Sequence, residues 1–374
     1  MKIPLYDEVL NLPEIPPSAA AAYSEHLSQM VASVNKQMRA RPDIGMLTGG
    51  SPVSVMFDNH KNHALFMSSV FSLNRFDMLV HTVPWVYYTY HQRGFSYSYF
   101  PAHLNAWKAA INDFLTPEEG QPILQVYDWI LARHETFIVL SKEWVHTDHV
   151  PGAKWQAVYE QFLQALVDGD RSAALEMARQ STSSFSQLND FCIDVIQPAM
   201  YKIGALWENG QISVAREHLA SAIVNRVMAV RYIELIKTQG KSRGRVVVTT
   251  AANEFHEIGA TIIANSLEAD DWEVNYLGAN TPHDALLEFI STTNPDVVAI
   301  SSTMPFSLTT VRDIIREIRS WSPDKQPMIM TGGLAFRNAP GLAKQMGADG
   351  YAEDARKAVL LANQWVEEKR RDDF

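Results

Sequence analysis

The run Arg245-Val246-Val247-Val248-Thr249-Thr250 and the hexapeptide Glu254-Phe255-His256-Glu257-Ile258-Gly259 that follows it decide the fold of the last third of this 374-residue chain. A β-branched apolar run of this kind reads as a buried strand, and the pattern after Gly259 is helical, so Glu254 and His256 fall on a strand-to-helix loop. A histidine at the carboxyl end of a parallel strand faces the crevice where α/β sheets hold ligands. An acidic residue two positions earlier can hydrogen-bond the ring nitrogen that faces away from such a ligand, which fixes the tautomer and raises imidazole basicity. Gly259 permits a tight turn or the close approach of a bulky ligand. A lone histidine in such a loop is more often a surface or capping residue; the surrounding segment is what points to a ligand.

Outward from the hexapeptide, Val246–Thr249, Glu273–Tyr276, Val297–Ser301, Met328–Met330 and Gly350–Ala352 read as strands. Gly259–Asp270, Pro282–Thr292, Leu308–Trp321 and Ala339–Gly347 read as helices between them. This alternation predicts a doubly wound parallel sheet. Two more loops leave strand ends, Ser301-Ser302-Thr303 and Gly332-Gly333, and all three loops should line one edge of the sheet.

In that order on a flavodoxin-like sheet, E-x-H-x-x-G, the Ser301 loop and the Gly-Gly pair resemble the cobalamin-binding domain that takes B12 with its dimethylbenzimidazole tail swung off the cobalt. The resemblance implies that His256 is the lower axial cobalt ligand, that Glu254 and Ser301 hydrogen-bond behind it, and that Gly332 and Gly333 admit the nucleotide tail. Glu254 stands where the wider family commonly has Asp, and Thr303 where it usually has Leu. Neither change removes a ligand.

Residues from about Lys154 to Gln239 carry apolar positions at helical spacing, such as Val158, Phe162, Ala165 and Leu166, and again Ile223, Val227, Val230 and Ile233. Asp168-Gly169-Asp170, Gly204 and Asn209-Gly210 mark turns, and the length fits four helices packed as a bundle. Taken singly, Trp207 reads as a core tryptophan and His218 as a solvated helix residue. Trp207 followed after nine residues by Glu217-His218 resembles the cap of light-sensing B12 proteins, in which these groups shelter the 5′-deoxyadenosyl group over the upper face. Members of the repressor type carry a histidine directly after that tryptophan; Glu208 stands there instead, which puts a bis-histidine light state in doubt.

Composition bounds the partners. The formal charge of −10 and pI near 5.6 oppose a sequence-tolerant grip on phosphate backbone, and no apolar run is long enough to span a bilayer. The amino terminus lacks a signal-peptide core, so a cytoplasmic location is expected. The single cysteine, Cys192, excludes a disulfide framework and a thiolate cluster, and its apolar helical setting predicts a buried, inert thiol.

Residues 1–150 read as helices over about Ser18–Arg39, 57–72, 73–91, 101–115 and 120–145, with a Gly/Ser/Pro-rich loop at Asp43–Ser54. No basic recognition helix is visible, and DNA binding is not expected. Nine of the twelve histidines precede position 151, and Trp85, Tyr87, Tyr88, Tyr90, Phe95, Tyr97, Tyr99, Phe100 and Trp107 crowd one stretch. Such a stripe is ordinarily core. The alternative is a globin-like helical pocket for haem or a linear tetrapyrrole, with His91, Arg93, His103 and His134 as candidate polar contacts. A helical extension, a capping bundle and a B12 domain in one chain are similar to the photocobilins, B12 photoreceptors that also bind biliverdin; the resemblance implies a noncovalent bilin.

The whole reads as three domains, 1–150, 151–240 and 241–374: a sensor or binding protein rather than an enzyme. The expected cofactor is adenosylcobalamin held base-off, with biliverdin or another tetrapyrrole in the first domain. Light would break the cobalt–carbon bond and signal through self-association or a protein partner. A corrinoid methyl carrier and a B12-binding antirepressor are the alternatives.

Overall fold

The structure, a computed structural model, describes residues 5–144, 151–236, 242–339 and 341–372. The chain divides into two compact units, residues 1–146 with 208–210, and residues 147–207 with 211–374. The boundary expected at 150/151 falls at the edge of a stretch outside the described residues, and that at 240/241 lies within another.

The first unit is helical: α1 (Leu5–Val9), α2 (Pro17–Glu25), α3 (Leu27–Arg39), α4 (Ile44–Leu47), α5 (Val53–Leu73), α6 (Asp77–Gln92), α7 (Tyr99–Phe114), α8 (Pro117–Ala132) and α9 (His134–Lys142). The single helix expected over 18–39 breaks at His26, whose ring Nδ1 lies 3.0 Å from the Ala22 carbonyl and competes with the helical ladder. The one expected over 120–145 starts earlier and breaks at Arg133. Thr116 caps α8 by accepting from the Glu119 amide, and the Glu119 carboxylate accepts from the Thr116 backbone amide. Tyr23, Phe71, Tyr87, Phe95, Tyr99, Phe100, Trp107 and Tyr127 are all buried, so most of the aromatic stretch is packed interior.

The second unit begins with α10 (Gln156–Asp168), α11 (Arg171–Ser181), α12 (Phe185–Phe191), α13 (Gln197–Glu208) and α14 (Val214–Leu235). Phe162, Leu166, Leu188, Phe191, Ile203, Ile223, Val224 and Val227 close one apolar core that continues into Ile262 of the sheet-bearing segment. Cys192 is buried there, and burial pushes its thiol up to about 12, so it is inert.

Strands β1 (Arg245–Thr250), β2 (Glu273–Tyr276), β3 (Val297–Ser301), β4 (Met328–Gly332) and β5 (Gly350–Ala352) follow, wound with α15 (Ile258–Ala269), α16 (His283–Thr293), α17 (Leu308–Ser320), α18 (Leu334–Arg337), α19 (Leu342–Met346) and α20 (Ala355–Asp372). All pairings are parallel, in the order β2-β1-β3-β4-β5. β3 is buried along its whole length, as a central strand covered on both faces must be. The helix expected over 339–347 is shortened to α19, Leu342–Met346, with Gly341 at φ +79° as its N-cap; α18 lies before that stretch, over Leu334–Arg337.

At Gly333 the backbone has φ +97°, and a Cβ there would lie 2.2 Å from the Ser302 carbonyl oxygen. Gly333→Ala therefore combines a left-handed penalty with a backbone collision. It should cost roughly 2–4 kcal/mol, read as a lowered melting temperature of the second unit. An unchanged melting curve would show that the β3 and β4 loops are not packed as described.

In the first unit, His60, His63 and His103 cluster with Trp107, Tyr99 and Tyr127. Burial pushes His60 down to about 4 and His63 to about 3, the latter helped by the charge of His60, and His103 falls well below its ordinary value. The unfolded chain thus binds protons that the folded unit excludes, so stability is complete above about pH 6.5 and is lost as pH falls from there toward 4. The expected slope is roughly 1.4 kcal/mol per pH unit for each histidine. Urea midpoints for loss of the first unit that did not fall between about pH 7 and pH 5 would contradict the burial of these rings.

Candidate functional site

The strand order reverses between β1 and β3, and in open α/β sheets ligands bind outside the carboxyl ends of the strands at such a switch point. Glu254 lies in that crevice. Its side chain is fully buried, and its two oxygens are divided between two tasks. Oε1 sits 2.6 Å from His256 Nδ1 and also accepts the His256 amide at 3.1 Å. Oε2 accepts the backbone N–H groups of Thr303 and Met304, each at 2.8 Å, with the Ser307 hydroxyl at 3.4 Å. One carboxylate therefore ties the loop after β1 to the loop after β3.

Burial pushes the Glu254 carboxyl up, but the hydrogen bond and charge of His256 and the backbone amides outweigh it, and the group lies below its usual range. For His256, burial pushes the imidazolium down, while the hydrogen bond and charge of Glu254, with the charge of Glu217, raise it overall. An ionised Glu254 can only accept from Nδ1, so the ring keeps its proton on Nδ1 and presents Nε2 outward. The His256 side chain is 58% exposed, pointing an imidazole donor into open space from a buried anchor. Sequence had given the anchor; the Met304 amide and the Ser307 hydroxyl were not legible in it.

The edge around His256 is apolar where solvent would favour polar groups. Phe255, Leu334, Tyr351 and Tyr276, from the loops or strands at this edge, are 69%, 42%, 38% and 36% exposed. A large ligand with an apolar face would cover them. A narrow slot beside the strands is lined by Ile263, Ser301, Thr331, Gly332 and Ala352 among others. Ser301, expected behind the histidine, lines this slot and pairs in register with Thr250 and Gly332; the hydroxyl that reaches Glu254 is that of Ser307. Thr303 contributes its amide rather than its side chain. Gly332 and Gly333 have packing reasons of their own, since a Cβ at Gly332 would lie 3.0 Å from the Ala352 carbonyl oxygen. Gly259 lies in the first turn of α15 and is not among the positive-φ residues, so it serves no tight turn; a Cβ there would meet nothing within 4 Å, which leaves open the approach of a ligand.

Trp207, near the end of α13, is half-buried. Glu217 and His218 lie in the first turns of α14, with His218 Nδ1 2.7 Å from Glu217 Oε2 and the Ser221 hydroxyl donating to Glu217 Oε1 at 2.9 Å. The effect of the Glu217 charge on His256 places both in one electrostatic neighbourhood. Glu208, in the position of the missing histidine, acts electrostatically on Tyr88 and Arg93. In the first unit the four candidates do not converge as one set. His103 stacks on His60 at 4.8 Å and accepts from Trp107, His91 stacks on Tyr97 at 4.1 Å, and His134 meets the Tyr87 hydroxyl. Burial lowers the Arg93 guanidinium and the charge of Glu208 opposes that shift. His60 and His63, which sequence reading passed over, complete the buried cluster: a spacing of three on α5 was the available signal.

Among the described residues no group of three or more His, Cys, Asp or Glu side chains could hold a bare metal ion. A metal that arrives in a macrocycle needs a single protein ligand, and His256 with its buried carboxylate partner is suited to that. Residues 244–360 match the family model described as B12 binding domain, and residues 158–232 match a second model of the same description. A corrinoid protein of Desulfitobacterium hafniense is 22% identical over 214 residues, covering 55% of this chain and 96% of the relative. Dimethylamine corrinoid protein 3 of Methanosarcina acetivorans is 27% identical over 169 residues, covering 45% and 78%. The solved monomethylamine corrinoid protein of Methanosarcina barkeri aligns at TM-score 0.49 and 18% identity, over 56% of this chain and 99% of that one. The chain thus carries B12-binding domains and is homologous to corrinoid proteins. His256, the exposed apolar rim and the open approach at Gly259 fit a corrinoid.

Glu254→Gln tests the division of labour. The Thr303 and Met304 amides demand an acceptor, so the new amide must turn its NH2 toward His256 Nδ1 and drive the ring proton onto Nε2. Affinity for hydroxocobalamin, titrated by absorbance, should fall about 10–100-fold. Equal affinity would remove Glu254 from the ligand assembly.

Proposed function

We propose that this chain is a corrinoid carrier, holding cobalamin base-off with His256 Nε2 below the cobalt. The observation that carries the reading is the buried Glu254 carboxylate hydrogen-bonded to an exposed His256 at the switch point of the sheet. The relatives named as corrinoid proteins, matched over most of their own length, support it. Glu254 would hold the ring tautomer and the apolar rim would face the macrocycle, while the narrow slot lined by Ser301 and Gly332 would have to open to admit a nucleotide tail. A bound alkylcobalamin supplies a cobalt–carbon bond that a nucleophile or visible light can break. On the carrier reading the partner is a protein that adds or removes the alkyl group, and the chain itself is not the enzyme.

A second reading, a light sensor, is favoured by Trp207 and the Glu217-His218 pair. On that reading α13 and α14 shelter an adenosyl group above the corrin, and its loss changes self-association or partner binding. Biliverdin or another tetrapyrrole in the first unit belongs to this reading. An absorption trace of protein expressed with both B12 and biliverdin available would report it.

The base-off, histidine-on absorption spectrum should be lost in His256→Ala; the same spectrum in that variant would refute the ligand assignment for both readings. The two readings part on selectivity. A carrier should accept methylcobalamin and adenosylcobalamin alike, with no change in hydrodynamic size on green illumination. Adenosyl preference together with a light-dependent size change would instead establish the sensor.

A further inference from the structure

α14 is joined to α15 by two polar ties. Asn225 Nδ2 donates to Glu257 Oε1 at 2.9 Å, and the Tyr232 hydroxyl donates to Glu268 Oε1 at 2.8 Å. Glu257 is the residue directly after His256 and the N-cap of α15; Glu268 lies near the other end of that helix. The ties span about 10 Å along α14 and about 16 Å along α15, in the same direction on both. Between them, Val227 and Met228 share an apolar core with Ile262. An apolar helix face alone tolerates sliding by a turn, because neighbouring ridges and grooves are similar; a directional hydrogen bond to a carboxylate does not.

The register so fixed has a consequence at the site. Glu217 precedes Asn225 by eight residues, about 12 Å of helix rise. With Asn225 fixed at the start of α15, the first two turns of α14 project past the end of that helix, toward the edge from which His256 points. Ser221 lies between, bonded to Glu217, so Glu217, Ser221 and Asn225 make a polar stripe at positions i, i+4 and i+8.

We infer that Asn225 is a positioning residue: its bond to Glu257 clamps α14 in register, setting the height of Glu217 and His218 over His256 and so the access to the upper face of the bound corrinoid. The inference rests on the corrinoid reading of the site, but the clamp can be tested without a corrinoid. Asn225→Asp sets two carboxylates against each other, and Asn225→Asp combined with Glu257→Gln restores a donor and an acceptor in reversed order.

In the corrinoid-free full chain, amide hydrogen exchange over residues 214–224 should quicken about tenfold or more in Asn225→Asp, relative to the amides beyond Met228, and return toward the original rate in the double variant. Asn225→Ala, which adds no charge, should show a smaller increase and guards against misfolding of the Asp variant. Unchanged exchange in the single variants, or no recovery in the double, overturns the clamp. With hydroxocobalamin bound, potassium cyanide should replace the upper ligand faster in Asn225→Asp while the His256-on spectrum persists. Equal cyanide rates overturn the link to the upper face. Failure of every form to take up hydroxocobalamin would sink the corrinoid reading instead, leaving the exchange result to decide the clamp.

Discussion

The structure around the site depends on one buried carboxylate. An ionised Glu254 shut away from water would cost several kcal/mol if left without partners. It is tolerated because the fold delivers two amides from the loop after β3 and one ring nitrogen from its own loop. Each partner is also positioned by the arrangement it stabilises. The Thr303 and Met304 amides converge because their loop is held over Gly333, where no side chain intrudes, and His256 stands outward because its other nitrogen is taken. A strand-end histidine without this anchor would be a mobile surface ring.

Much of this was legible in the chain. The alternation of apolar runs and amphipathic stretches gave all five strands to within two residues, and the acid two positions before His256 gave its partner. What escaped reading came from contacts between distant segments. Ser307 reaches Glu254 across 53 positions, and Asn225 reaches Glu257 across 32. No local pattern encodes such meetings. Helix continuity was overread where apolar periodicity ran on through a break. At His26 and Arg133 the side-chain pattern stays helical while the backbone turns, and the helix read from Ala339 begins only at Leu342, after Gly341 has taken a positive φ.

In the first unit the same limit appears in another form. His60 and His63 lie on α5 and His103 on α7, and their meeting converts three ordinary residues into a buried, neutral polar cluster. The rings of His60 and His63 pack against Tyr99, His103, Trp107 and Tyr127, and tyrosine hydroxyls meet both at 3.0 Å. A ligand entering this interior would have to exchange those hydrogen bonds for its own.

The segments that match models of the B12 binding domain, 158–232 and 244–360, include most of α14 and the His256 loop together. A lower ligand alone does not distinguish a carrier from a sensor, since both need cobalt held from below. The distinction lies in how long the upper face stays covered. A carrier must uncover it for each partner, so the free energy fixing α14 over the edge must be small compared with partner binding. A sensor must keep it covered until the cobalt–carbon bond breaks, so that energy must be large compared with thermal motion. Both demands fall on one helix, joined to α15 by an apolar seam and two hydrogen bonds to carboxylates. On either proposed reading the strength of that seam bears on how long the upper face stays covered, and the residues that set it stand on α14 and α15.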